Sequence, residues 1–377
     1  MNALLLGGWV ACLGVMAQGT ARAGAIPPGT VGPAPARPVC LIGPMRLVEL
    51  PLIPVAINAH GEVLGLDAAH RAARWSASGG LEELPLPAGF DHSEPVAINA
   101  QGTSVAVGIA SDPAGTQRRA YVVAEEGAAG ASPPSPRPGP PTVGALLGGV
   151  AARPFRIDDA GTVVGEALVP GHARSEPVLW NTQADARGAT VDEGPLPRGT
   201  SLELAPRALG SCCGGTAKVL DGQGTIAGDA YDEAGRYQAF RWREGGGLER
   251  IDTEDRFSSA LAMNHLGHVL IVAFPKILLA GAQGLERLKL APKGPSHPHA
   301  LNDCDVIVGD FGPFADAARA FAWDRAQGFT DLNTFLPPGA ALKLKSALDL
   351  NDRGEIIGRA EAPGEVVRGF LLEPGSR

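Results

Sequence analysis

One short phrase recurs seven times along this chain and constrains its fold more than any other feature. It runs from an apolar strand end to Asn or Asp, two spacers, Gly, one spacer, two small apolar residues and Gly. The copies begin at Asn58, Asn99, Asp158, Asp221, Asn264, Asn302 and Asn351. Asn or Asp opening a turn can bond its own backbone ahead, and Gly is favoured at the fourth position. Each copy therefore reads as a tight β-hairpin. The second copy reads as carrying two extra residues between Gly102 and Gly108. The fifth has Ile271 for its last Gly, and the sixth has Asp305 for its turn Gly.

A second phrase follows each hairpin: spacer, Ala, aromatic, spacer, Trp. Gln238-Ala-Phe-Arg-Trp242 and Arg319-Ala-Phe-Ala-Trp323 are the clearest copies. Weaker ones start at Arg71, Arg119, Glu176, Lys276 and Arg368. Their alternation fits a half-buried third strand. A Gly-rich turn and a short fourth strand come next, as at Gly245-Gly-Gly247 before Leu248–Ile251. Successive hairpins lie roughly 40 to 60 residues apart, the length of a four-stranded radial repeat with occasional insertions. The expected fold is all-β: a seven-bladed β-propeller of four-stranded antiparallel blades. Arg46–Pro51 resembles a fourth strand that precedes the first hairpin, and the last copy stops after its third strand at Gly369–Leu372. The N-terminal strand is thus expected to close the last blade and hide both edges.

Val96-Ala-Ile-Asn99, Leu348-Asp-Leu-Asn351 and Ala239-Phe-Arg-Trp242 carry a family resemblance. The chain resembles the bacterial HAF-repeat family of predicted extracellular repeat proteins over about residues 46–373. It departs from that pattern where His should precede Ala-Phe; here Arg71, Arg119, Gln238, Arg319 or Arg368 stands instead. The resemblance implies architecture and export, with no activity to transfer.

Residues 1–23 have the pattern of a secretory signal. Ala3–Met16 is apolar but too short to span a membrane, and Ala21-Arg22-Ala23 is a small-x-small cleavage site. Residues 24–45 read as a linker, 46–373 as the propeller, and 127–149 as a Pro-rich exposed insertion within it. No later segment is apolar enough for a spanning helix. The expected location is extracellular or periplasmic, as a monomer. The formal net charge of −8 argues against nucleic acid as a partner. Export would leave Cys40, Cys212, Cys213 and Cys304 as disulfide candidates, with three possible pairings.

No nucleophile elbow, zinc-protease helix, phosphate loop or EF-hand loop is present in the sequence. No catalytic residue, metal or cofactor is assigned. In up-and-down blades, the Asn-x-x-Gly turns share one face, while the variable second-to-third connections and blade crossings share the other. Variable loops on a rigid scaffold usually carry function. The variable face is therefore expected to bind a protein or small ligand, with His92, His297 and His299 as candidates. Ser201–Gly215 is assigned to that face, and His60 and His265 read as structural turn spacers. The expected role is a binding or scaffold module. The alternative is a hydrolase or lyase with polar groups from several blades meeting at the channel mouth.

Overall fold

A computed structural model of the chain describes residues 42–375, apart from 113–114, 126–140, 183–201, 212, 293 and 314–316. It is a seven-bladed β-propeller, and no α-helix occurs among the described residues. A single strand, β1 (Met45–Leu50), precedes the first blade. Blade 1 holds β2 (Ile53–Ile57), β3 (Val63–Leu66), β4 (Ala72–Ser76) and β5 (Gly80–Glu83). Blade 2 holds β6 (His92–Ile98), β7 (Ser104–Asp112), β8 (Gly115–Glu125) and β9 (Pro141–Leu147). Blade 3 holds β10 (Val150–Ile157), β11 (Thr162–Leu168), β12 (Ser175–Asn181) and the short β14 (Arg207–Ala208). Between them in sequence, β13 (Leu202–Leu204) adds a fifth strand to blade 2, parallel to β9.

Blade 4 holds β15 (Gly215–Leu220), β16 (Thr225–Tyr231), β17 (Tyr237–Arg243) and β18 (Gly247–Arg250). Blade 5 holds β19 (Ser259–Met263), β20 (Val269–Ala273), β21 (Lys276–Gly281) and β22 (Gly284–Leu288). Blade 6 holds β23 (Ser296–Leu301), β24 (Ile307–Phe311), β25 (Arg319–Asp324) and β26 (Gly328–Asp331). Blade 7 holds β27 (Lys343–Leu350), β28 (Ile356–Ala362) and β29 (Val366–Pro374), and β1 pairs antiparallel with β29 as its fourth strand. First strands pack in order round the axis, β2 on β6, then β10, β15, β19, β23 and β27, which returns to β2. The ring is therefore closed by strand pairing between its two chain ends.

Local chemistry builds each hairpin. Asn58 Oδ1 accepts from the backbone N–H of His60 and of Glu62, at 3.0 Å each. The fourth residue is left-handed: Gly61 at φ +83°, Gly354 at +77°, and Asp305 at +57° in the copy that lacks glycine. Turn and strand pairing survive that substitution, since Asp tolerates the region better than most residues.

Every first strand also carries a one-residue bulge at the same height, between Pro54 and Ala56 in blade 1 and between Pro298 and Ala300 in blade 6, for example. The bulge brings a carbonyl over the second-strand glycine. A Cβ on Gly65, Gly165, Gly228, Gly309 or Gly358 would lie 2.0–2.3 Å from the carbonyl oxygen of Ile53, Arg153, Thr216, His297 or Ser346 respectively. This explains the last glycine of the phrase. In blade 2 the register places Ala106 opposite Pro95, so the hairpin has no two-residue insertion. Gly108 lies two residues further along the strand, against Phe90.

The blades pack through small residues alternating with large ones. Ala120, Ala239 and Ala320 are buried beside Tyr121, Phe240 and Phe321 on the third strands, which suits sheets that splay apart away from an axis. The described residues of the Ser201–Gly215 stretch, assigned from sequence to the variable face, contribute β13 and β14. Backbone groups there find sheet edges to pair with, which a sequence pattern this short does not reveal. Cys304 is disulfide-bonded, and Cys213 is half-buried in the crossing into blade 4. Cys40 and Cys212 lie outside the described residues, as do 1–23 and most of the Pro-rich stretch.

Candidate functional site

The seven hairpins bring their opening residues to the axis. Asn58 Nδ2 donates to the Asn99 carbonyl at 2.9 Å, and Asn99 Nδ2 donates to the Asp158 carbonyl at 2.9 Å. Asn264 donates likewise to Asn302 at 3.0 Å, Asn302 to Asn351 at 3.4 Å, and Asn351 to Asn58 at 2.9 Å. Each amide thus serves two purposes: its oxygen shapes its own turn and its nitrogen ties that turn to the next blade. Asp158 and Asp221 have no amide nitrogen, so this chain of bonds runs from Asn264 round to Asp158 and stops there.

Inside that ring lies the first spacer of each turn: Ala59, Ala100, Asp159, Gly222, His265, Asp303 and Asp352. All seven line an axial cavity of about 270 Å³. The side chains are small in blades 1, 2 and 4 and ionisable in blades 3, 5, 6 and 7. One oxygen of each carboxylate is used by the fold. Asp159 accepts from Ala100 N–H, Asp303 from His265 N–H and Asp352 from Asp303 N–H, at 2.8 Å in each case. Two residues before the turns, Arg156 and Asp349 also line the cavity, and Asp349 Oδ2 accepts from Ile57 N–H at 3.2 Å.

The His265 ring sits against Asp303, with Nδ1 3.2 Å from both carboxylate oxygens and 3.8 Å from Asp352. The hydrogen bond to Asp303, helped by the charges of Asp303, Asp352 and Asp159, outweighs burial and raises the imidazole to about 9. Burial pushes Asp303 up, but its bonds and charge pairing with His265 outweigh this and hold it below the usual carboxylate range. Asp352 is raised, first by burial and then by the neighbouring Asp303 charge. Asp349 is raised by burial despite the Arg156 charge. At neutral pH His265 is an imidazolium, a donor and not a proton acceptor. His265, Asp303 and Asp352 each bring one ligand atom within 4.8 Å of the others, a spacing that a divalent cation can bridge only after that proton leaves.

The His265–Asp303 pair makes stability pH-dependent. The folded value is raised above the ordinary 6.5, so its contribution is full below about pH 6.5 and disappears as pH rises through 9. The ring is 61% exposed, so screening limits the contribution to about 1 kcal/mol or less. His265→Gln is expected to flatten the fall in urea-derived stability between pH 6.5 and 9.5. Identical slopes in parent and variant would show that the pair does not titrate as stated.

The histidines chosen from sequence, His92, His297 and His299, do not line the axial cavity. His297 Nδ1 and His299 Nε2 converge on Asp310, at 3.0 and 2.7 Å. Asp310 also accepts from Ser346 of blade 7 at 3.1 Å. Equivalent bonds join Thr216 to Glu166 at 2.7 Å and Ser259 to Asp229 at 3.0 Å. These two histidines therefore sit on a repeated blade-to-blade latch. His92 lies exposed at the start of β6 on blade 2, away from that pair. The residue sequence reasoning passed over is His265, because a turn spacer reads as structural in isolation. Aligning the seven spacers as a column would have exposed the charged arc.

No protein-family model matches this chain, and no curated protein matches its sequence. Among solved structures, YCF48 bound to a D1 peptide matches with a TM-score of 0.50 and 12% identity, covering 91% of this chain and 100% of that one. A gluconolactonase from Xanthomonas campestris matches with a TM-score of 0.35 and 12% identity, over 90% of this chain and 94% of that one. At 12% identity the likeness to YCF48 is one of fold, the β-propeller.

Proposed function

We propose that this chain is an exported binding module whose axial mouth, on the hairpin-turn face, takes a small ligand with a cationic or hydrogen-bond-donating head. The observation that carries this is the asymmetric spacer ring. Ala59, Ala100 and Gly222 leave room in blades 1, 2 and 4, while His265, Asp303 and Asp352 form an arc over blades 5 to 7 and Asp159 stands alone in blade 3. Five aspartates, Asp158, Asp159, Asp303, Asp349 and Asp352, outnumber the two cations of this lining, His265 and Arg156, and low-dielectric walls strengthen the acidic field. Membership of the HAF-repeat family and export belong to the same proposal. The seven Asn/Asp hairpins and the disulfide at Cys304 support them, since disulfides persist in oxidising compartments.

Calorimetric titration with a panel of small amines, amino acids and sugars tests the site. Binding by the parent and its loss in Asp303→Asn/Asp352→Asn are expected. Asn keeps the oxygen that each turn latch needs, so the double variant should still fold. A panel without a binder, or binding unchanged in the double variant, would end this reading.

One observation favours a second reading, a hydrolase or lyase. Asp303 is lowered and adjacent Asp352 is raised, the split that marks a base and an acid. His265, being protonated, would be a donor in such a reaction. Turnover of a glycoside or lactone panel, absent in the double variant, would select it.

A further inference from the structure

We infer that blades 3 and 4 carry a second site, on the face opposite the hairpin turns, which binds an aliphatic amine or guanidinium against Glu176. The first observation is a reversal of charge at one register position. At this position, blades 1, 2 and 6 have Arg71, Arg119 and Arg319. Each is paired with an outer-strand acid, Glu83 at 2.6 Å, Glu203 at 2.7 Å and Asp331 at 2.7 Å. Blade 3 has Glu176 there. In blades 1 and 6 the acid lies opposite the residue two places on, as Ala73 faces Glu83 and Phe321 faces Asp331. In blade 3 the same step leads from Val178 to Ala208, which has no charge to offer.

The consequence is a buried carboxylate that is half satisfied. Glu176 is 2% exposed. Its Oε1 lies 3.2 Å from His172 Nδ1, and its Oε2 has no hydrogen-bond partner among the described residues. Native proteins rarely leave a buried carboxylate oxygen without a donor; where the protein supplies none, a water, an ion or a ligand group does.

The second observation is the space beside it. Glu176 lines a cavity of about 500 Å³ between the β11–β12 connection and the β16–β17 connection, together with His172, Arg174, Tyr231 and Glu233. The Arg174 guanidinium lies 5.4 Å from the centroid of the Tyr231 ring, and Tyr237 is 4.6 Å from Tyr231. This wall already receives a cation on an aromatic face. A ligand cation that shares this ring and donates an N–H to Glu176 Oε2 would supply the missing bond and charge. The site is separate from the axial mouth and does not rest on it.

Agmatine, which carries both head groups, is the probe for calorimetry on the full chain, with an arginine-containing tripeptide as a second arm. In Asp303→Asn/Asp352→Asn, which silences the axial mouth, agmatine is expected still to bind at one site, and at least tenfold more weakly once Glu176→Gln is added. Tyr231→Ala, an exposed change that spares the buried carboxylate, should weaken it as well and serves if Glu176→Gln does not fold. Tripeptide binding that follows the same pattern would identify a basic side chain of a protein as the source. Absence of agmatine binding by the parent would overturn the inference. So would agmatine binding lost in the aspartate double variant but kept in Glu176→Gln.

Discussion

Removing residues 45–50 is expected to abolish cooperative folding of the ring. The strand is paired with β29 along its whole length, from Met45 opposite Pro374 to Leu50 opposite Gly369. Leu50 is buried, and Met45, Leu47 and Val48 pack against two apolar clusters that also contain Phe370 and Leu371. Four such side chains, at about 1.5–3 kcal/mol each when fully buried and less when half-buried, amount to roughly 4–8 kcal/mol. That is comparable with the whole stability of a typical domain, about 5–15 kcal/mol. The deletion would also expose β29 as an edge, a template for pairing with a second copy. Circular-dichroism melting and size-exclusion chromatography of the deletion should show a broad, early transition and aggregated or dimeric material. A synthetic peptide spanning residues 44–51 should restore the monomer. A deletion variant that melts within a few degrees of the parent would mean that closure contributes little.

The second large effect concerns the axial amides. Asn351→Asp keeps the oxygen that accepts from Arg353 and Glu355 N–H, so the turn itself survives. It removes the donor to the Asn58 carbonyl and places a carboxylate where the amide now meets Glu355 Oε2 at 2.6 Å. The Asn58 carbonyl keeps the Gly61 N–H at 3.1 Å but loses its bond to the neighbouring blade, and with two acids brought into contact the change should cost about 2–4 kcal/mol.

Asp158→Asn is expected to act in the opposite direction. Burial, reinforced by the neighbouring Asp159 charge, raises the Asp158 carboxyl despite its bonds to Thr162 and Ala160. A carboxyl raised in the folded state disfavours folding at neutral pH, and that penalty eases as pH falls towards the folded value. An amide removes the penalty and offers the next blade a donor, for a gain of about 0.5–1 kcal/mol. Urea titrations at pH 7 measure both substitutions. Equal stability of parent and Asn351→Asp would show that the bonds between turns are incidental to the ring.

Several features were legible because they are local. An Asn oxygen that reaches amides two and four residues ahead, and a left-handed fourth residue, act within one turn. The seven hairpins could therefore be read directly from the seven phrases. Blade closure was legible too, because an orphan strand at one end matched a missing strand at the other. The bulge in every first strand was less so. Pro54, Pro95, Pro154 and Pro298 mark it in four copies, but its effect falls on a small residue of the partner strand, Gly65, Ala106, Gly165 or Gly309.

The candidate sites were mostly hidden. His297 and His299 stood out as a pair in sequence, yet they meet Asp310 in a latch between blades 6 and 7. His265 looked like a turn spacer until ring closure set it against Asp303 and near Asp352, from two other blades. Glu176 was visible as the one acid in a column of four arginines, a lysine and a glutamine, but its lack of a partner depends on which residue β14 places opposite.

Read alone, the chain determines the module and the number of times it is used, because turn chemistry and strand alternation act over a few residues and repeat. Only the tertiary structure decides which copies carry chemistry. Closing the ring brings together spacers tens of residues apart, and burial and mutual charge there, not their local sequence, set what those side chains can do.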